Sequence, residues 1–209
     1  MEPLEIETPH GPARAHLAAV SDARGALILG HGAGGGVAAR DLQTASAAAL
    51  AQRFSVALVE QPYRVAGRRS AAPARQLDTA WLAVTARLAE RELAGLPLIF
   101  GGRSSGARVA CRTATAGGAI AVLCLAFPLL PPRRAASTKA PESRLSELEG
   151  VTVPTLVVQG ASDRFGMPPA AANRMVVEVG GDHSLRTDLA AVAAAVTSWL
   201  TELDVPAAA

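Results

Sequence analysis

The sequence predicts an α/β protein in which a mostly parallel central sheet carries helices on both faces, a three-layer sandwich. Three observations predict it. Apolar runs of strand length recur along the chain and alternate with stretches whose apolar residues repeat at helical spacing. Several runs are continuous rather than alternating, as expected of strands covered on both faces. The glycine-bearing turns fall at the carboxyl ends of these runs, the edge where ligands bind in such sheets.

Length and composition fit this class. The chain has 209 residues, half of them hydrophobic, enough for a single domain over residues 1–209 with a full core. Aromatic residues make up only 3% and alanine is abundant, so the core should rest on aliphatic and small side chains, with close helix–sheet packing. A net charge of +2 gives no argument for nucleic acid as a partner. Cys111 and Cys124 each sit in an apolar pattern and read as buried free thiols of a reducing compartment. The stretch Met1-Glu2-Pro3-Leu4-Glu5 is acidic, without a basic-then-apolar signal pattern. The longest apolar run, residues 119–130, is too short for a bilayer and is broken by Pro128. A soluble cytoplasmic protein, with no membrane partner, is expected.

Residues 4–8 and 13–20 read as strands of an opening hairpin around Pro9-His10-Gly11-Pro12. Ala26-Leu27-Ile28-Leu29 is a buried strand ending in Gly30-His31-Gly32-Ala33-Gly34-Gly35-Gly36. An alanine-rich helix over residues 41–53 follows, then a strand over 54–59 and a loop over 60–69. Leu77, Trp81, Val84 and Leu88 mark a helix over residues 73–93. Residues 96–100 form the next strand, 105–116 a helix closed by Gly117-Gly118, and 120–127 a further strand. Residues 128–150 hold prolines, charges and one short helical turn near Leu145 and Leu148. A strand over 155–159 leads to Gly160-Ala161-Ser162-Asp163; residues 168–174 read as helix and 175–179 as strand. The last helix, residues 187–200, should bury Leu189, Val192, Val196, Trp199 and Leu200, and fray into the terminal alanines.

The chemistry centres on Gly102-Arg103-Ser104-Ser105-Gly106, placed between an apolar strand and a small-residue helix. That context is the one a nucleophile elbow requires: the middle serine is strained and exposed at a tight strand-to-helix turn, and flanking glycines avoid collisions. Serine needs a base to take its proton. Of the four histidines, His10 and His16 lie in the opening hairpin and His31 beside the glycine run. His183, between the last strand and the last helix, has the position of a base reaching over the sheet. An imidazole base needs a carboxylate to fix its tautomer. Asp163, just past its strand, is the first choice; Asp182 adjoins His183 too closely in sequence to accept from its ring, and Glu60 is a distant third. An oxyanion needs preorganised N–H donors. Ser105 offers one at the helix start, and the glycine run offers another, from Ala33 or else Gly34. The same run could cradle a dinucleotide, with Glu60 as its acid, although it lacks the Lys-Ser/Thr ending of a phosphate loop.

The order Ser104, Asp163, His183 is that of an α/β-hydrolase triad. With His31-Gly32-Ala33-Gly34-Gly35, Gly102-Arg103-Ser104-Ser105-Gly106, Gly160-Ala161-Ser162-Asp163 and Gly181-Asp182-His183-Ser184, the chain resembles the α/β-hydrolase superfamily over nearly its whole length. It is most similar to the small, capless branch of dienelactone hydrolases and the hydrolase-like domain of an NSL chromatin-complex subunit. Pro62-Tyr63-Arg64-x-x-Gly67-Arg68-Arg69 and Phe127-Pro128-Leu129-x-Pro131-Pro132 also resemble that branch. Dienelactone hydrolases have cysteine where Ser104 stands, so their substrate is not carried over. Relatives with the second motif often have histidine where Leu130 stands, so no polar contact is carried over there either.

The resemblance implies an α/β-hydrolase fold with no cap domain and a serine hydrolase of small esters or thioesters, acting through an acyl-enzyme. No cofactor and no metal is implied, since neither cysteine has a metal-like partner spacing. The pocket should be shallow, rimmed by residues 63–69 and 128–134, with Gly34, Tyr63 and Arg64 as substrate contacts and Arg64 facing any anionic group. Two other classes compete: a binding or scaffold protein that keeps the fold, and a nucleotide-binding protein.

Overall fold

The computed structural model describes residues 3–132 and 142–206. Eight strands form one sheet in the order β1-β2-β4-β3-β5-β6-β7-β8. β1 (Leu4–Ile6) and β2 (Ala13–Ala18) make the opening hairpin, and β2 runs antiparallel to β4 (Phe54–Glu60). From there every pairing is parallel, through β3 (Gly25–Gly30), β5 (Leu98–Arg103), β6 (Ala121–Leu125), β7 (Thr155–Gly160) and β8 (Arg174–Val179).

Strand side chains alternate between two separate cores, which is what makes the structure three-layered. Ile28, Ala57, Phe100, Val122 and Val157 point to one face, where α3 (Ala74–Glu90), α4 (Ser105–Thr113) and the short α5 (Leu145–Glu149) pack. Leu27, Leu29, Val56, Ile99, Leu123 and Leu156 point to the other, covered by α1 (Arg40–Ala51) and α6 (Leu189–Glu202). Continuous apolar strands are therefore required, because both faces are dry. Cys111 and Cys124 are buried free thiols with sulfurs 3.5 Å apart. No helix among the described residues is long and apolar enough to cross a membrane.

Three local expectations are corrected. The loop over residues 60–69 contains a one-turn helix, α2 (Pro62–Val65), because Pro62 at its first position presets the helical φ and has no N–H to leave unpaired. Residues 168–173 are not helical. Pro169 pushes Pro168 out of the helical region, and the following turn closes with a bridge between Ala171 and Arg174. The last helix starts at Leu189 rather than 187, where Asp188 caps it by accepting from the Ala191 N–H at 3.0 Å; Leu189 is only half-buried, while Val192, Val196, Trp199 and Leu200 are buried. Arg133 and Arg134 of the expected pocket rim and the terminal residues 207–209 lie outside the described residues.

The packing detail that matters most for the site is the approach of α4 to β3. A Cβ on Gly106 would collide with the carbonyl of Gly30, and one on Gly102 would lie 2.5 Å from the same oxygen. Helix and sheet thus meet backbone to backbone at the elbow. Gly106→Ala is expected to destabilise the protein by about 3 kcal/mol, since the colliding atoms are backbone and cannot rotate away. The measurement is the urea unfolding midpoint of the variant against the parent chain.

Candidate active site

Ser104 sits between β5 and α4 with φ 53° and ψ −107°, a left-handed conformation that non-glycine residues rarely adopt. The strain, of order 1–3 kcal/mol, is held by the surrounding structure. The Ser104 N–H donates to Leu125 O at 2.9 Å, and its carbonyl accepts from the Arg108 N–H at 3.2 Å. Ser104 occupies the N-cap position of α4, yet its side chain does not cap the helix. The hydroxyl instead lies 2.9 Å from His183 Nε2.

His183 reaches Ser104 from the turn after β8. Its Nδ1 is 2.7 Å from Asp163 Oδ2, so with Nδ1 protonated Nε2 is free to accept from the serine hydroxyl. The Asp163 side chain is 1% exposed, and a buried carboxylate must have its lone pairs met. Gln159 Nε2 donates to Oδ2 at 2.8 Å and the Phe165 N–H to Oδ1 at 2.9 Å. The Phe165 ring packs edge-on against the imidazole, with centroids 4.5 Å apart. The other two carboxylates are engaged elsewhere. Glu60 meets His16 at 3.1 Å, and Asp182 accepts from the Ser184 N–H and hydroxyl at 2.8 and 2.6 Å.

The glycine run passes directly beside the elbow. A Cβ on Gly32 would lie 2.8 Å from Arg103 Nη1 and 3.6 Å from Ser104 Cβ, so a side chain there would displace the Arg103 guanidinium. Two side chains orient the peptides that follow. His31 is buried, accepts from the Gln61 N–H at Nε2 (3.1 Å) and donates from Nδ1 to Gly32 O (2.9 Å). The Gly35 N–H also donates to Gly32 O, at 3.1 Å. Because a trans peptide holds its N–H opposite its C=O, anchoring Gly32 O fixes the direction of the Ala33 N–H. The Tyr63 hydroxyl then donates to Ala33 O at 3.0 Å and fixes the next peptide. Among the described residues, neither the Ala33 nor the Ser105 N–H has a hydrogen-bond acceptor.

Ala33, Gly34, Ser104, Ser105 and His183 line one open cleft of about 430 Å³. Tyr63 and Arg64 do not line it. Tyr63 is buried behind the glycine run, and Arg64 stands beside Gly36 with its Nε buried and unpaired. Both belong to α2, and their contacts are with the run itself, Tyr63 with Ala33 O and Arg64 with Gly36. Among the described residues, no group of three or more His, Cys, Asp or Glu is placed to hold a metal ion.

Four participants escaped sequence reasoning. Gln159 and Phe165 hold Asp163 and His183; their only signal was nearness to the Asp163 turn. Arg103, the variable residue before Ser104, lies with Nε 2.8 Å from Asp41 Oδ2 and donates from Nη2 to His183 O at 3.0 Å. It ties the start of α1 to the loop that carries the histidine. Asp41 is buried, which raises its carboxyl pKa, while the Arg103 charge opposes that rise. Nothing in a helix-opening aspartate 62 positions earlier announces this pairing.

A family profile described as an alpha/beta hydrolase domain matches residues 23–197. No curated protein matches the chain. Among solved structures, the chain is similar to an α/β serine hydrolase without lid from Xanthomonas campestris, at 18% identity and TM-score 0.69 over 97% of this chain and 96% of that one. It is also similar to Est1E from Butyrivibrio proteoclasticus, at 16% identity and TM-score 0.75 over 97% and 98% of the two chains. A dienelactone hydrolase from Anabaena variabilis aligns at 16% identity and TM-score 0.73 over 96% of each chain. At these identities the likeness is one of fold.

Two outcomes test the supports of the site. Arg103→Met leaves the Asp41 carboxylate buried without its cation and should cost about 3 kcal/mol; adding Asp41→Asn should recover part of the loss, because the stranded charge is gone. Urea unfolding of the two single variants and the double variant measures this. His31 has its pKa lowered first by burial, then by the Arg64 charge, against the opposing Gly32 hydrogen bond and Glu60. An unfolded histidine takes up its proton near pH 6.5 but the folded one only at lower pH, so stability present above about 6.5 is lost as pH falls. Between pH 7.5 and 5.5 the parent chain should lose up to about 1 kcal/mol more than His31→Asn.

Proposed function

The chain belongs to the α/β hydrolase domain family, and from that premise we propose that it is a serine hydrolase cleaving a carboxylic ester or related acyl bond through Ser104, His183 and Asp163. The observation that carries the reading is the unbroken hydrogen-bond chain from a buried carboxylate to a strained serine, 2.7 Å from Asp163 to His183 and 2.9 Å from His183 to Ser104. A surface serine of no chemical use has no reason to hold an unfavourable φ with its hydroxyl aimed at an imidazole.

In this reading Ser104 Oγ attacks the substrate carbonyl as its proton passes to His183 Nε2, and Asp163 stabilises the imidazolium. The carbonyl oxygen becomes an oxyanion held by the N–H groups of Ala33 and Ser105, residues that line the cleft and whose N–H groups have no other acceptor among the described residues. Ser105 also opens α4, so the helix dipole adds its positive end there. The bond from carbonyl carbon to leaving group breaks as His183 returns the proton to the leaving alcohol or thiol. Water, deprotonated by the same imidazole, then releases the acyl group and regenerates the serine. The size and openness of the cleft suit small soluble esters or thioesters, and an esterase domain and a thioesterase domain among the fold neighbours support acyl chemistry.

A fluorophosphonate probe tests this by mass spectrometry. The adduct is expected on Ser104 and nowhere else, absent in Ser104→Ala and much reduced in His183→Ala. Hydrolysis of 4-nitrophenyl acetate should fall at least about a thousandfold in Ser104→Ala or His183→Ala, with Asp163→Asn also severely impaired. A folded parent chain that leaves Ser104 unlabelled sinks the reading.

A further inference from the structure

We propose that the cleft over Ser104 takes an acyl substrate bearing an anionic group, a carboxylate or a phosphate, and that Arg144 and Arg164 receive that group. The proposal rests on the serine-hydrolase reading of the same cleft. Its ground is the charge on the walls. Five guanidinium groups line the cleft, from Arg103, Arg108, Arg112, Arg144 and Arg164, and among the described residues no Asp or Glu does.

Three of the five are neutralised from behind. Arg103 is paired with Asp41 at 2.8 Å. Arg108 Nε donates to Glu147 at 2.8 Å, and Arg112 forms a two-pronged pair with Asp78 at 2.6 and 2.8 Å while also reaching Glu147 at 3.2 Å. These three carboxylates match three arginines and stand outside the cleft lining, so they hold the guanidinium groups in place without presenting negative charge to a ligand.

Arg144 and Arg164 are different. Among the described residues Arg144 Nη1 donates only to Pro128 O, at 3.2 Å, and Arg164 lies 4.9 Å from the centre of the Phe165 ring, itself packed edge-on against His183. Among the described residues neither has a carboxylate partner. Burial lowers the Arg144 pKa, and the charge on Arg108 lowers it further, outweighing Glu147. The guanidinium stays protonated at neutral pH and stands in a positive field that a bound anion would relieve. One of the two cations comes from the segment before α5 and the other directly follows Asp163 at the end of β7, and β6 and β7 lie on the opposite side of β5 from β3, which carries the glycine run.

The test compares three esters with the same leaving group: the mono-4-nitrophenyl ester of glutaric acid, its methyl-capped neutral counterpart, and the 4-nitrophenyl ester of 4-phosphonobutyric acid. At low salt at least one anionic ester should exceed the neutral one about tenfold or more in kcat/KM. Which of the two anions is favoured separates carboxylate from phosphate. The preference should shrink at about 0.5 M NaCl, because the cleft is open and its charges are screened. In Arg144→Gln/Arg164→Gln the anionic-to-neutral ratio should fall at least about fivefold. Should that variant fail to fold, the salt dependence of the ratio in the parent chain decides alone. Equal or better turnover of the neutral ester, or a ratio that ignores both salt and the substitutions, overturns the proposal. If Ser104 still takes the fluorophosphonate in that case, only the substrate class is wrong; if it does not, the hydrolase reading falls with it.

Discussion

The backbone contact between Gly106 and the carbonyl of Gly30 sets the position of everything at the carboxyl edge of the sheet. It lets α4 pack closely against β3, and Ser104, in the turn between β5 and α4, is held in its left-handed conformation. The helix that follows compensates for the strain. Ala107, Val109, Ala110, Cys111 and Ala114 are all buried against the sheet, and small side chains allow the approach. Strain at one residue is thus balanced by the burial of a whole helix face, a common arrangement at sites where a side chain must be presented rather than packed.

Around that fixed point the remaining groups are held by crossing tethers rather than by one rigid element. The loop with His183 is tied to Asp163 through the imidazole and to Arg103 through the backbone carbonyl. Asp163 is tied to β7 by Gln159, whose Nε2 lies 2.8 Å from Asp163 Oδ2 and within 3.1 Å of Phe127 O and Gly166 O, so its two N–H groups join the ends of β6 and β7. His31 and Tyr63 brace the glycine run from behind. Each tether spends a buried polar group that would be costly to leave unpaired, so displacing one loop disturbs several bonds together. Preorganised donors of this kind need no rearrangement as charge develops during a reaction.

The arginines of α4 have a structural use as well as an electrostatic one. Arg108 and Arg112, one turn apart, bind Glu147 of α5, and Arg112 also binds Asp78 of α3, joining three helices on one face. Burial would raise the Glu147 pKa, but hydrogen bonds and charge from both arginines hold it below the ordinary range. The same braces aim a row of cations into the cleft, which links the packing of this face to the kind of ligand it can accept.

Local grammar carried most of the fold. Continuous apolar runs mark β3 to β7, helical spacing marks α3 and α6, and Gly102 and Gly106 around Ser104 mark a strained turn, because strand, helix and left-handed conformation each depend on neighbours a few residues away. Two of the three local corrections turn on proline: Pro168-Pro169 excludes the helix expected there, and Pro62 starts one in a supposed loop. The candidates for an acyl-transfer site, a serine, a histidine and an acid in sequence order, were likewise legible. What holds Asp163 and His183 in place, and how five arginines separated by up to 61 positions come to face one cleft, were not. Those facts depend on how loops fold over the edge of the finished sheet, where distances of 2.7 to 3.0 Å are set by contacts between elements far apart in the chain. Sequence spacing has no term for such distances; only the packed tertiary structure does.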